Sequence, residues 1–186
     1  QYYLKFMSKV FCLGMSRTGT KSFAVGMQKL GYKACHNGGR PLDENLLENY
    51  DAFSDSNTCM FRYDYLYDRF PNAKFVFSYR DPEQWADKIV EWYNPRHKIS
   101  YVHWHLNNDY IPKVNTREEL VNFCKWQYDS IMEFFSDKQD QFLAHSVFKG
   151  DTFDPIAKLV GIELKEDFTV NLKDQSVKDN SYANLR

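Results

Sequence analysis

The sequence predicts a single α/β domain with a mostly parallel central sheet flanked by helices. Three observations point there. Short β-branched and aromatic runs alternate with segments of helical spacing. The first such run, Lys9-Val-Phe-Cys-Leu-Gly14, is almost wholly apolar and ends on glycine, as a strand buried on both faces does. The chain has 186 residues, 43% of them hydrophobic and 17% aromatic, which is enough for one core and too little for two full domains. One domain over residues 1–186 is expected, with residues 1–6 set apart as a leader because Met7 is a natural start.

After the first strand comes the polar loop Met15-Ser-Arg-Thr-Gly-Thr-Lys-Ser22, then a helix with Phe23, Val25, Met27 and Leu30 apolar and Gly31 closing it. Residues 43–50 read as a short helix with Leu46 and Leu47 inward, and Tyr50 to Ser54 as a short strand ending at Asp55. A helix from about Cys59 to Phe70 leads into Pro71. Ala73-Lys-Phe-Val-Phe-Ser-Tyr79 is a strand, Arg80-Asp81 stands at its end, and Pro82 sits where proline favours the first helical turn, in a helix running to about Tyr93. Residues 94–115 mix prolines, histidines and aromatics without a period, and Tyr101, Trp104 and Tyr110 among them are candidates to line a pocket for a flat or apolar ligand. Thr116 followed by Glu119 forms a capping box for a helix to Phe135. Phe142 to Phe148 reads as the last strand, and Asp151 or Thr152 as the cap of a helix to Val160.

Charge and cysteine content exclude several classes. Lys plus Arg number 24 against 25 Asp plus Glu, spread along the chain, so bulk electrostatic binding of nucleic acid has no support. The four cysteines, Cys12, Cys35, Cys59 and Cys124, lie far apart without zinc-like spacing, which suits a reducing, cytoplasmic setting. No apolar run approaches a membrane span. His103 and His105 lack a third ligand at recognisable spacing, and no metal is assigned.

Gly14-Met-Ser-Arg-Thr-Gly-Thr-Lys-Ser22 resembles a phosphate loop, in which amides at a helix N-terminus converge on an anion. It departs from the nucleoside triphosphate version, G-x-x-x-x-G-K-S/T, because Thr20 follows Gly19 and Lys21 comes one position late. A Mg-dependent nucleotide hydrolase also wants a carboxylate at the neighbouring strand end, and here Arg80 precedes Asp81. In open parallel sheets ligands bind beyond the carboxyl ends of the strands, where Arg17 and Arg80 both fall.

With Arg17-Thr-Gly-Thr-Lys-Ser22 and Phe75-Val-Phe-Ser-Tyr-Arg-Asp-Pro-Glu-Gln-Trp85 in view, the sequence resembles the sulfotransferases that use 3′-phosphoadenosine 5′-phosphosulfate (PAPS), in particular their short single-domain branch with its P-loop-like fold. The resemblance is good over about residues 9–93 and loose beyond. It implies transfer of a sulfuryl group from PAPS to a hydroxyl of a small-molecule acceptor, releasing PAP. Thr18, Gly19, Thr20, Lys21 and Ser22 would hold the 5′-phosphosulfate, Arg17 would reach the bridging oxygen, and Arg80 would clamp the 3′-phosphate. Where the family usually has a 3′-phosphate-binding serine, eight residues after the arginine, this chain has Lys88, which either reaches the phosphate as a point charge or faces solvent. An acceptor hydroxyl needs a base, for which Asp55 is the first candidate and His36, on the loop after the first helix, the second. Two alternatives stand beside this reading: a nucleotide kinase or NTPase with an atypical phosphate loop, and a non-catalytic module that binds PAP.

Overall fold

The computed structural model describes residues 8–93 and 116–170. Its strands are β1 (Val10–Cys12), β2 (Ala34–Gly39), β3 (Ala52–Ser56), β4 (Lys74–Ser78) and β5 (Phe142–His145). The helices are α1 (Thr20–Lys29), α2 (Glu44–Asn49), α3 (Asn57–Phe61), α4 (Tyr63–Arg69), α5 (Pro82–Tyr93), α6 (Arg117–Phe134) and α7 (Asp154–Leu159). All five strands run parallel in the order β2-β3-β1-β4-β5, as the alternation of strands and helices predicts. None of the helices among the described residues is long and apolar enough to cross a membrane.

The strands read as apolar because both faces of the sheet are covered. Val10, Cys12 and Val76 face one layer with Phe23 and Met27 of α1 and Ile156 of α7. Phe11, Leu13, Phe53, Phe75 and Phe77 face the other with Leu66 of α4 and Ile131 of α6. Neighbours in the ladder, Phe11↔Phe53 and Phe11↔Phe75, stack their rings at 5.0 and 5.7 Å, and Phe135 packs between Phe75 and Phe142 at 5.0 and 4.6 Å. Full burial of each such ring contributes about 1.5–3 kcal/mol. This aromatic layer fixes the register, and the register decides which strand ends meet.

The order puts β1 between β3 and β4, so the loop after β1 is flanked by Asp55 at the end of β3 and by Arg80 just beyond β4. Helix α6 carries the expected capping box, with Glu119 N–H donating to Thr116 and Thr116 N–H to the Glu119 carboxylate.

Four expectations need correction. His36 lies not on a loop but in β2: Asn37-Gly38-Gly39 has loop composition, yet it pairs with β3, with a bulge opposite Ser54–Ser56. The segment expected as one helix from Cys59 to Phe70 is two, because Ser56 caps α3 from an earlier start and Arg62, at φ −125°, ends α3 and opens α4. Strand β5 stops at His145, where the Ser146 N–H bonds to the Asp151 carboxylate and the chain turns through a 3-10 segment, Val147–Lys149. Neither Asp151, engaged upstream, nor Thr152 caps α7: its N-cap is Phe153 with no side-chain cap, and the Asp154 N–H is met by Asp167 at 2.9 Å. Met7, the candidate pocket aromatics Tyr101, Trp104 and Tyr110, and the pair His103 and His105 lie outside the described residues.

Candidate functional site

The loop after β1 begins at a glycine for a steric reason. A Cβ on Gly14 would overlap the Ser78 hydroxyl and carbonyl and the Thr18 hydroxyl, so no other residue lets the chain pass β4 this closely. A chain of hydrogen bonds then sets the loop: the Cys12 thiol donates to Ser78 Oγ at 3.2 Å, Ser78 meets Thr18 Oγ1 at 2.9 Å, and Thr18 Oγ1 donates to the Met15 carbonyl at 2.6 Å. Thr18 N–H also donates to the Met15 carbonyl, at 3.2 Å. Thr18, fully buried, therefore holds the loop from inside instead of presenting its hydroxyl outward.

Gly19 caps α1 at φ 97°, without a side-chain cap and without an acidic residue in the first turn. The first intrahelical bond runs from Phe23 N–H to Gly19 O, so the amides of Thr20, Lys21 and Ser22 point out of the helix end. That is the geometry and the dipole of an anion site. Thr20 and Ser22 side chains are buried and Lys21 is exposed.

Arg17 stands at the exposed tip with φ 73°, and Asp55 at φ 50°. Among the described residues these two alone are non-glycine positions with positive φ. Backbone strain of this kind persists where the surroundings impose it, and it clusters at ligand sites. The surroundings are visible: Ser16, next to Arg17, donates through Oγ to Asp55 Oδ1 at 2.5 Å, and the fully buried Trp85 of α5 donates through Nε1 to the Ser16 carbonyl at 2.9 Å.

His36 Nε2 faces the other Asp55 oxygen at 3.4 Å, and its Nδ1 lies 3.1 Å from Ser54 Oγ. Burial, with the Lys21 cation adding, lowers the His36 pKa below its ordinary value against the opposing pull of Asp55. The neutral tautomer that suits both neighbours carries its proton on Nε2, toward the carboxylate, and accepts from Ser54 at Nδ1. The structure thus brings together the two residues that the sequence offered as rival bases.

On the other side of β1, Arg80 has its N–H and its carbonyl both bonded to the Tyr128 phenol, at 2.9 and 2.7 Å. Its guanidinium lies 4.2 Å from the centroid of the Phe148 ring, and its Nε is buried with no hydrogen-bond partner among the described residues. Burial first, and the Arg17 cation as well, lower the pKa of Arg80, so the two guanidinium groups share one field. Asp81, next in the chain, accepts through Oδ1 from Gln84 N–H at the start of α5. Lys88, exposed on α5, is paired with Glu91, and Glu91 in turn feels Lys88 first and then Arg17 and Arg80.

Sequence reasoning missed Ser16, Ser78, Trp85, Gln127 and Tyr128. Ser16, Ser78 and Trp85 lay inside the two motifs already singled out, without a role assigned to them, whereas Gln127 and Tyr128 support the site from a helix remote in sequence, and no local pattern marks them. Among the described residues no cluster of His, Cys, Asp and Glu can hold a metal ion.

A family model described as a sulfotransferase domain matches residues 9–45 and 42–151, which takes in the loop, Asp55, Arg80 and α6. No curated protein matches the chain. With most of the chain matched and the site assembled at the ends of β1, β3 and β4, this protein belongs to the sulfotransferase domain family.

Proposed function

We propose that the protein transfers a sulfuryl group from PAPS to a hydroxyl of a small-molecule acceptor and releases PAP. The observation that carries the proposal is the Ser16–Asp55 bond, which ties the anion-binding loop to a buried carboxylate on the adjoining strand. Sulfuryl transfer to an alcohol or phenol needs those two things side by side: cations and amides for the departing phosphate, and a base for the hydroxyl proton.

The residues present fit the donor. The N-terminus of α1, with glycine as its cap and no acidic residue in its first turn, suits the 5′-phosphosulfate. Gly19, Thr20, Lys21 and Ser22 would hold it, with Thr18 bracing the loop from behind. Arg80, whose Nε has no partner among the described residues, suits the 3′-phosphate. Lys88, exposed on α5 and paired with Glu91, would add a point charge near it. When bound, PAPS supplies a sulfuryl group on a phosphosulfate anhydride.

Arg17 then balances the charge that grows on the departing phosphate oxygen. Asp55 takes the acceptor proton as the new O–S bond forms, and Ser16 and His36 hold the two carboxylate oxygens in place. The cation of Arg80, placed ahead of Asp81 at that strand end, counts against a Mg-dependent kinase, which needs a carboxylate there. Four buried, unpaired thiols suit a cytoplasmic setting.

The test is calorimetric titration with PAP, ADP, and ATP with and without Mg, followed by transfer from labelled PAPS to a panel of alcohols and phenols. The proposal expects PAP to bind in preference to ADP, and one or more acceptors to become labelled. Preference for Mg-ATP would replace it with the kinase reading. Tight PAP binding with no transfer to any acceptor would leave a binding module.

A further inference from the structure

Helix α6 reaches the candidate site at two consecutive residues. Gln127, almost fully buried, donates through Nε2 to the carbonyls of Leu13 and Met60, both at 3.2 Å. Leu13 is the last residue before the loop. Tyr128 bonds to both amide groups of Arg80. Adjacent helical side chains diverge by about 100°, so this one step of α6 grips the end of β1 with one residue and the end of β4 with the next.

The grip lies where the sheet stops providing one. The ladder between β1 and β4 ends at Cys12↔Val76, with one further bond from Leu13 N–H to the Val76 carbonyl at 2.9 Å. Beyond it the backbone ladder gives way to the close pass of Gly14 by Ser78 and the Thr18–Ser78 bond, after which one chain runs on into the loop carrying Arg17 and the other toward Arg80. Tyr128 does not owe its direction to the hydrogen bonds alone: its ring packs edge-on against Phe77 at 4.9 Å and Tyr79 at 6.3 Å. Burial raises the phenol pKa, so the group stays protonated and able to donate to the Arg80 carbonyl. A tyrosine that merely satisfied its own hydroxyl would need one partner, whereas this one closes both the N–H and the C=O of a single residue at the strand end.

We infer that Tyr128, with Gln127 beside it, is a positioning pair that sets the separation between the Arg17 loop and Arg80, and so the preference for a donor with phosphates on two ribose positions. The inference rests on the donor reading given above.

The experiment measures PAP and ADP affinity by calorimetry for the wild type, Tyr128→Phe, Gln127→Met, Arg80→Ala and the double variant Arg80→Ala/Tyr128→Phe, with thermal melts to confirm folding. Tyr128→Phe keeps the ring and its packing and removes only the hydroxyl. It should lose about tenfold in PAP affinity, the effect of a buried hydrogen bond to a positioned group, and leave ADP nearly unchanged. Gln127→Met should also lower the ratio of PAP to ADP affinity. In the Arg80→Ala background Tyr128→Phe should have no further effect on PAP, because its effect acts through Arg80. A merely structural role would lower the melting temperature and leave the affinity ratio alone. An unchanged ratio in both single variants, or equal losses for PAP and ADP, overturns the inference while the donor reading survives. A wild type that does not prefer PAP over ADP overturns the donor reading, and the inference with it.

Discussion

Ser16 and Asp55, 39 positions apart in the chain, share a hydrogen bond of 2.5 Å that joins the loop after β1 to the end of β3. The bond has a direction: Ser16 donates, and the carboxylate accepts with one oxygen while the other faces His36. Asp55→Asn keeps a carbonyl able to accept from Ser16 and removes the capacity to take a proton. Turnover with PAPS should fall by about 10²–10⁴-fold, the usual contribution of a positioned general base, with PAP affinity largely preserved. Near-normal turnover in the variant would assign the base elsewhere, and His36→Gln would then be the variant to assay.

Arg17 and Arg80 share a field but sit in different backbone settings, and their variants should separate. Arg17→Gly removes the guanidinium and also the positive-φ strain, since glycine adopts φ 73° at little steric cost. Its turnover should drop by about 10²–10³-fold, as for loss of a charge-stabilising donor, while stability holds or rises by up to about 1 kcal/mol. Arg80→Ala should instead weaken PAP binding and spare ADP. Equal, small effects of both on turnover and binding would contradict the division of roles.

The sheet and the loop were legible because they are written locally. An apolar run ended by glycine, a proline at the first turn of α5 and a capping box before α6 each state an element within a few residues. The same holds for Arg17 and Arg80, which stand at strand ends. What was not legible depends on contacts across the fold. His36 follows Gly31 and precedes Gly38 and Gly39, so composition alone says loop, and only pairing with β3 makes the segment a strand. The link between Asp55 and His36 follows from that pairing, since β2 and β3 become neighbours through a register that no local pattern encodes. Tyr128 and Trp85 look like core aromatics in a helix, and they are; their polar ends acquire a role only because β4 and the loop lie beneath them.

His36 predicts a pH dependence of stability with a definite sign. Its pKa is lowered in the folded protein, so between the folded value and the unfolded value of about 6.5 the unfolded chain binds more protons. Stability attributable to the neutral ring is complete above about pH 6.5 and is lost as pH falls through the folded pKa. The melting temperature of the wild type should therefore decline on acidification from pH 7 to 5 more steeply than that of His36→Gln, which cannot take up the proton. Parallel profiles for the two proteins would mean that the ring charges without cost where it stands.

Gly26, in the middle of α1, offers a test of the scaffold beneath the loop in which two physical effects oppose each other. Helix propensity favours Gly26→Ala by about 1 kcal/mol, and nothing in the backbone forbids it, since Gly26 is not among the positive-φ glycines. Against this, a Cβ at Gly26 would overlap the Phe153 ring, which is fully buried and stacked on Phe168 at 5.0 Å. The ring is held by the same apolar layer that covers β1, so relief requires shifting α1 or the segment before α7, and overpacking of this kind costs about 1–3 kcal/mol. The clash should win, and Gly26→Ala should melt at a lower temperature than the wild type despite its better helix former. Because α1 carries the amides of the anion site at its N-terminus, the same displacement should weaken PAP binding, whereas Lys29→Ala at the far end of the helix should leave it unchanged. A higher melting temperature for Gly26→Ala with undiminished PAP affinity would show that Phe153 yields, and that the packing of α1 on this ring does not govern the position of the loop.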